Sequence, residues 1–213
     1  MTSPLFISFE GPDGSGKSTQ AAMLARVLRS RGVEVVETRE PGGTAAGEQI
    51  RGILLDPQGP PLTPLVMALL LSASRAQLLE EIIVPALKAG KTVITDRFAD
   101  STSAYQGYGL GLGRDVVRGL SRIATGGRVP NVSIYVDIDP SLGLERVAAR
   151  GAANRLDKEN LEFHQRVRNG YFQLMSDEPA RWLQVDGSGS PEEVHRDVVQ
   201  VLDERLGIGE GTP

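Results

Sequence analysis

The sequence predicts a parallel, doubly wound α/β sheet, built as a single domain over residues 1–213. Three observations carry that expectation. Five short apolar runs, at 5–9, 33–38, 92–95, 132–136 and 182–185, alternate with longer stretches of helical spacing. A glycine-rich turn joins the first run to the first helical stretch. No repeat, linker or low-complexity tract interrupts the alternation. Strands interleaved with helices require right-handed crossovers, which make the strands parallel and set helices on both faces.

Leu5–Phe9 reads as a buried strand, and Thr19–Arg31 as a helix with Ala22, Met23, Arg26 and Val27 at helical spacing, stopped at Gly32. A second strand, 33–38, runs into the turn Arg39-Glu40-Pro41-Gly42-Gly43-Thr44, and a helix over 45–55 carries Ile50, Ile53 and Leu54 on one face. A proline-rich loop, 56–64, leads to the longest apolar stretch, 65–89, a helix apolar nearly all round that Pro85 should bend or restart. The third strand, 92–95, delivers Asp96-Arg97-Phe98 to its carboxyl end. Gly107, Gly109, Gly111 and Gly113 predict a flexible loop before a helix over 114–124. After the fourth strand, Asp139-Pro140 opens a helix to about Ala149, as an N-cap with proline behind it. Another helix covers about 159–175. Ser190-Pro191-Glu192-Glu193 is a capping box opening the last one.

Composition excludes several classes. Net charge is −4, so no general attraction to nucleic acid or anionic membrane is expected. There are no cysteines, hence neither a disulfide scaffold nor a thiolate metal site. No run of about 20 apolar residues offers a membrane span, and a cytoplasmic location is expected. All but Lys17, Lys88, Lys91 and Lys158 of the 23 basic residues are arginine, so a lone arginine carries little information without its motif.

Gly11-Pro12-Asp13-Gly14-Ser15-Gly16-Lys17-Ser18 fits G-x-x-x-x-G-K-[ST], with a strand before it and a helix after it. Inward backbone N–H groups cradle a polyphosphate, and only glycines let the chain wrap so closely. The following helix adds its positive end. Gly11 to Thr19 is therefore the expected nucleotide site: Lys17 reaches the β/γ-phosphates, and the Ser18 hydroxyl ligates Mg²⁺. The expected architecture becomes the P-loop NTPase fold, whose ligands lie beyond the carboxyl ends of the strands. That gathers Asp13, Glu40, Asp96 and Arg97. Such a set suits phosphoryl transfer, which asks the protein mainly to position groups and neutralise charge. His164 and His195 read as surface residues, which leaves a phosphate acceptor favoured over an alcohol needing a base.

Phe9-Glu10-Gly11, the cradle, Thr38-Arg39-Glu40-Pro41-Gly42-Gly43-Thr44, Ser74-Arg75-Ala76-Gln77, Asp96-Arg97-Phe98 and Tyr105-Gln106-Gly107 together resemble bacterial thymidylate kinases, over roughly residues 5–206. The resemblance implies transfer of the ATP γ-phosphoryl to dTMP with Mg²⁺, in a homodimer. By motif, Arg97 resembles the clamp on the acceptor phosphate and Arg51 a second phosphate contact. Arg75 resembles the donor to thymine O4, Gln106 a further base contact, and Tyr105 the ring against the sugar. Asp13 and Glu40 resemble acidic contacts near the sugar or metal, Ser101 falls where the family touches nucleotide, and Asp96 suits a place just outside the magnesium ligands. The resemblance also implies a lid at about 150–157, with Arg150 and Arg155 as the candidates to meet the moving phosphoryl and Arg146 as scaffold. One position departs from the family. Leu71 stands where a phenylalanine usually stacks on thymine. Two other readings stay open on sequence: a deoxynucleoside kinase of the same fold, and a P-loop switch using nucleotide only for conformation.

Overall fold

The structure is a computed structural model that describes residues 3–149, 151, 155, 156 and 159–207. Arg150, most of the expected lid and the last six residues lie outside the described set. Five strands, β1 (Phe6–Glu10), β2 (Val35–Arg39), β3 (Thr92–Asp96), β4 (Val132–Asp137) and β5 (Trp182–Asp186), form one parallel sheet in the order β2-β3-β1-β4-β5. The register sets Phe9 and Arg39 each opposite Asp96, and Glu10 opposite Tyr135. β1, β2 and β3 thus end within a residue of one another and β4 two residues beyond, and the segments leaving their carboxyl ends converge on one rim. The chain order, with β1 in the centre, forces this.

Alternation along β1 divides the core. Ile7 and Phe9 point to the face covered by α1 (Lys17–Ser30) and α9 (Pro191–Leu206), where Leu24, Leu28, Val198 and Leu202 meet them. Phe6 points to the opposite face, against Leu78, Ile83, Val93 and Phe98. Glu10 shares the parity of Phe6 but not its apolar surroundings. The expected long apolar helix is present as α3 (Pro64–Leu78), a π turn over Leu79–Ile83, and α4 (Val84–Lys88). The wide turn falls just ahead of Pro85, whose missing N–H was expected to bend or restart the helix. Thr44 caps α2 (Ala45–Leu55), Thr63 caps α3, and the Ser190–Glu193 capping box is formed in both directions.

The glycine-rich segment after β3 is helical rather than a flexible loop. It forms α5 (Ala99–Thr102) and a π turn over Ser103–Gly109, then breaks before α6 (Arg114–Thr125). Its glycines allow close packing: a Cβ on Gly109 would meet Phe163 at 2.7 Å. Phe163 belongs to α8 (Leu161–Asp177), which with Tyr105, Tyr135, Tyr171 and Trp182 makes a third cluster beside β4. His164, expected at the surface, is 3% exposed because α8 turns it inward with Phe163. Among the described residues no helix is long and apolar enough to cross a membrane.

Candidate functional site

The cradle between β1 and α1 is shaped by glycine. Gly11, Gly14 and Gly16 all have positive φ, at 143°, 79° and 92°. A Cβ on Gly11 would strike the Val136 carbonyl. One on Gly14 would strike the backbone at Gly143, on α7 (Pro140–Ala149). Other residues would therefore open the loop away from β4 and α7 as well as strain it. Gly16 caps α1 without a side chain, so the first N–H groups of the helix stay open to an anion. Lys17 lies across the loop, its Nζ donating to the Pro12 carbonyl at 2.6 Å and to Ser15 Oγ at 3.4 Å. Burial, reinforced by Arg97, lowers its pKa to about 8 against the pull of Asp13, Asp96 and Glu10.

At the rim of β3, the Ser18 hydroxyl donates to Asp96 Oδ2, while Asp96 Oδ1 is buried without a partner. That is a fit for Mg²⁺ shared with phosphates. The ion is commonly held by one or two carboxylates plus substrate oxygens, and among the described residues no group of three or more His, Cys, Asp or Glu forms a protein-only site.

Arg97 stands at the centre. It is the non-glycine residue with positive φ among those described, 74°, and its guanidinium is fixed on every side. Nη2 meets Asp13 Oδ1 at 2.5 Å and Tyr105 OH at 3.2 Å; Nη1 donates to the Gly11 carbonyl at 3.2 Å and Ser101 Oγ at 3.0 Å. The Tyr105 ring lies 4.9 Å from its carbon, and Tyr105 OH donates to Asp13 Oδ2 at 2.7 Å. Burial alone would raise the Asp13 pKa, but Arg97, Lys17 and the Tyr105 hydroxyl hold it below the usual range.

Two clefts share this arginine. The first has apolar walls from Leu54, Met67, Leu71 and Leu156, with Arg75, Gln106 and Ser101 as polar edges. The second is polar and runs over the cradle, with Lys17, Ser18, Arg39, Arg51 and Asp96. Asp13, Glu40 and Arg97 line both. In the first cleft Arg75, 1% exposed, pairs with Glu40 through Nε at 2.8 Å and Nη2 at 2.6 Å. Its Nη2 also reaches Thr102 Oγ1 at 2.8 Å and the Phe98 carbonyl at 3.2 Å. Three buried atoms here have no partner: Glu40 Oε1, Arg75 Nη1 and Gln106 Oε1. A planar heterocycle with donors and acceptors along one edge would satisfy them. Burial raises the Glu40 pKa even beside Arg75.

Of the residues expected from sequence, Asp13, Glu40, Leu71, Arg75, Arg97, Ser101, Tyr105 and Gln106 all line the first cleft. Arg51 lines the second cleft instead, its Nη1 donating to the Pro41 carbonyl at 2.8 Å. Arg146 is scaffold: it ties α7 to the Gly187 and Ser188 carbonyls, at 2.8 and 2.9 Å. Arg155 is not at the cradle. Its Nη1 donates to the Pro60 carbonyl at 2.7 Å and its Nη2 to that of Asp56 at 3.0 Å. It clasps the α2–α3 loop, while its neighbour Leu156 enters the first cleft. Arg150 lies outside the described residues. Sequence reasoning missed Met67, Leu54 and Leu156, apolar wall residues with no motif of their own. It also gave Glu10 no role, though that residue is wholly buried behind Arg97.

Residues 9–198 match the family model described as thymidylate kinase. A thymidylate kinase of Deinococcus radiodurans is 45% identical over 205 residues, covering 96% of this chain and 99% of the relative. One from Synechococcus sp. (strain JA-3-3Ab) is 46% identical over 202 residues, covering 95% and 97%. A crystal structure of thymidylate kinase from Ehrlichia chaffeensis superposes with a TM-score of 0.76 at 34% identity, over 94% of this chain and 99% of that one.

Proposed function

The chain belongs to the thymidylate kinase family, a family of phosphotransferases acting on a nucleoside monophosphate, and from that premise we propose how its residues divide the work. The polar cleft takes ATP, with its phosphates on the Gly11–Thr19 cradle; the apolar cleft takes dTMP, with its phosphate directed at Arg97. The single observation that supports this reading is the sharing of Arg97 and Asp13 by both clefts, an arrangement that would set an acceptor phosphate beside a cradled γ-phosphate.

An acceptor phosphate oxygen is already a nucleophile at neutral pH, so no general base is required. Arg97 orients it and offsets the repulsion between the two phosphates, while Lys17 and the α1 N-terminus meet charge that builds on the transferred group. Ser18 and Asp96 would hold Mg²⁺, which supplies Lewis-acid stabilisation of the phosphate oxygens when bound. Arg51 extends the positive lining of the phosphate channel. In the apolar cleft Arg75 Nη1 suits thymine O4 and Gln106 Oε1 suits N3–H, a pattern that rejects cytosine, whose N4 donates. Tyr105 packs against the deoxyribose, Asp13 and Ser101 bound the sugar end of the cleft, and Glu40 holds Arg75 at the base end.

We also read the molecule as a homodimer. Leu65, Val66 and Leu69 on α3 and Val116 and Ile123 on α6 are exposed, and α3 packs beside α6. Exposed apolar side chains on two neighbouring helices suit pairing with a second copy.

An acceptor panel with ATP and Mg²⁺ tests the reading: dTMP, dUMP, dCMP, dGMP and thymidine. Turnover with dTMP well above all others is expected. Preference for thymidine would mean that the acceptor is a hydroxyl, and the role given to Arg97 would fall.

A further inference from the structure

We infer that Glu10 is a positioning residue for phosphoryl transfer: it holds Arg97 in place through the Phe98 amide and the Ser101 and Tyr171 hydroxyls. The inference rests on the reading of Arg97 as the clamp on the acceptor phosphate. Glu10 is 0% exposed and touches neither cleft, so it meets no substrate. Its Oε1 accepts from Phe98 N–H at 2.7 Å, the amide just after the strained Arg97 backbone. Its Oε2 accepts from Ser101 Oγ at 2.6 Å and from Tyr171 OH at 3.1 Å. Those two hydroxyls lie 2.9 Å apart, and Arg97 Nη1 donates to Ser101 at 3.0 Å.

The chemistry of each group fixes the direction of this relay. Guanidinium only donates, so Ser101 must turn a lone pair to Arg97 and send its hydrogen elsewhere. Tyr171 faces the same requirement, since Arg97 Nη1 also points to its hydroxyl at 3.5 Å. Both hydrogens need an acceptor, and Glu10 Oε2 is where the two hydroxyls converge. Ionised or protonated, a carboxyl accepts at least one of them there while its other oxygen takes the Phe98 amide. Glutamine does not. If its NH₂ occupies the Oε2 position, it donates into the two hydroxyls; if the amide is turned over, the NH₂ faces Phe98 N–H. The first arrangement strands a hydroxyl hydrogen with no acceptor and the second sets donor against donor, and either conflict is relieved by moving Ser101 or the backbone at Arg97–Phe98. Leaving Arg97 to side-chain packing alone is also ruled out by its φ of 74°, which a chain holds only where its surroundings require it. Burial, with Asp100 adding to it, raises the Glu10 pKa to about 8, as expected for a carboxyl retained here against its solvation preference.

Glu10→Gln, Tyr171→Phe, their double mutant and Arg97→Lys, each compared with wild type in steady-state kinetics, test the inference. Glu10→Gln should lower kcat/KM for dTMP by about tenfold or more while KM for ATP stays within about twofold. Tyr171→Phe should act in the same direction less strongly, and the double mutant should lose less than the product of the two single effects. A residue of packing alone would lower the melting temperature and depress both substrates' parameters together, which would overturn the inference. Wild-type kinetics in Glu10→Gln with an inactive Arg97→Lys would also overturn it, and would leave the reading of Arg97 standing. Wild-type kcat in Arg97→Lys would remove both. If Glu10→Gln does not fold, Tyr171→Phe decides: a loss confined to dTMP supports the relay, and unchanged kinetics refute it.

Discussion

Replacing Arg75 with alanine should damage the fold as well as the base pocket. The side chains of Arg75 and Glu40 are 1% and 2% exposed, and they pair at 2.6 Å. Arg75→Ala removes that pair, the bonds to Thr102 and the Phe98 carbonyl, and the stacking of the guanidinium 5.4 Å from the Phe98 ring. Glu40 would be left as a buried carboxylate with no counter-charge. Removing one partner of a buried pair costs about 3–5 kcal/mol. For a chain of 213 residues, about 2–4 °C accompanies each kcal/mol, so the melting temperature should fall by roughly 6–20 °C. Thermal unfolding of the ligand-free protein, followed by circular dichroism, measures this. Glu40→Gln placed in the same chain should restore part of the loss, because it removes the stranded charge. A melting temperature within about 1 °C of wild type for Arg75→Ala would refute the reasoning, since the pair would then contribute nothing in the resting fold.

Arg155→Ala should raise KM for dTMP about three- to tenfold and leave kcat unchanged, because Arg155 holds the loop beside the first cleft and not the phosphates. A fall in kcat instead would mean that Arg155 reaches the phosphoryl during turnover. Leu71→Phe should tighten dTMP by up to about tenfold, the worth of an aromatic stack of about 0.5–1.5 kcal/mol beyond area, and a raised KM would show the apolar wall already full. Stability should have a minimum near pH 8. The folded pKa of Glu10 is raised from 4.5 to about 8, so its contribution is whole below 4.5 and is lost as pH climbs to 8. The pKa of Lys17 is lowered from 10.5 to about 8, so stability returns between 8 and 10.5. Melting curves from pH 5 to 10 should show the acid-side slope flattened in Glu10→Gln, and an unchanged slope there would remove Glu10 as its source.

Much of the fold was legible in the sequence because it arises from local pattern. The cradle, the five strands and the capping box at Ser190 each depend on neighbours a few residues apart, and a parallel sheet then forces the strand ends together. The misreadings are tertiary. Gly107 and Gly109 look like flexibility until Val117 of α6 packs on the first and Phe163 of α8 on the second; α8 also hides His164, which by spacing could face either way. Arg155 lies in a polar basic run that suits a phosphate contact. Its choice of the Asp56 and Pro60 carbonyls depends on a loop nearly a hundred residues earlier. Glu10 carries no motif signal beyond its place before the cradle. Its importance comes from Ser101 and Tyr171, brought to it by β3 and α8.

In the proposed reading one cleft cradles ATP over Lys17 and meets the acceptor at Arg97, and every role proposed for the other residues depends on that arrangement. Lys17→Ala puts it to the test, with kcat measured at saturating ATP and dTMP and the fold checked by circular dichroism. Lys17 would act on charge that develops during transfer, so kcat should fall by about a hundredfold or more with an unchanged spectrum. Retention of most of the wild-type kcat in a folded Lys17→Ala protein would contradict that arrangement.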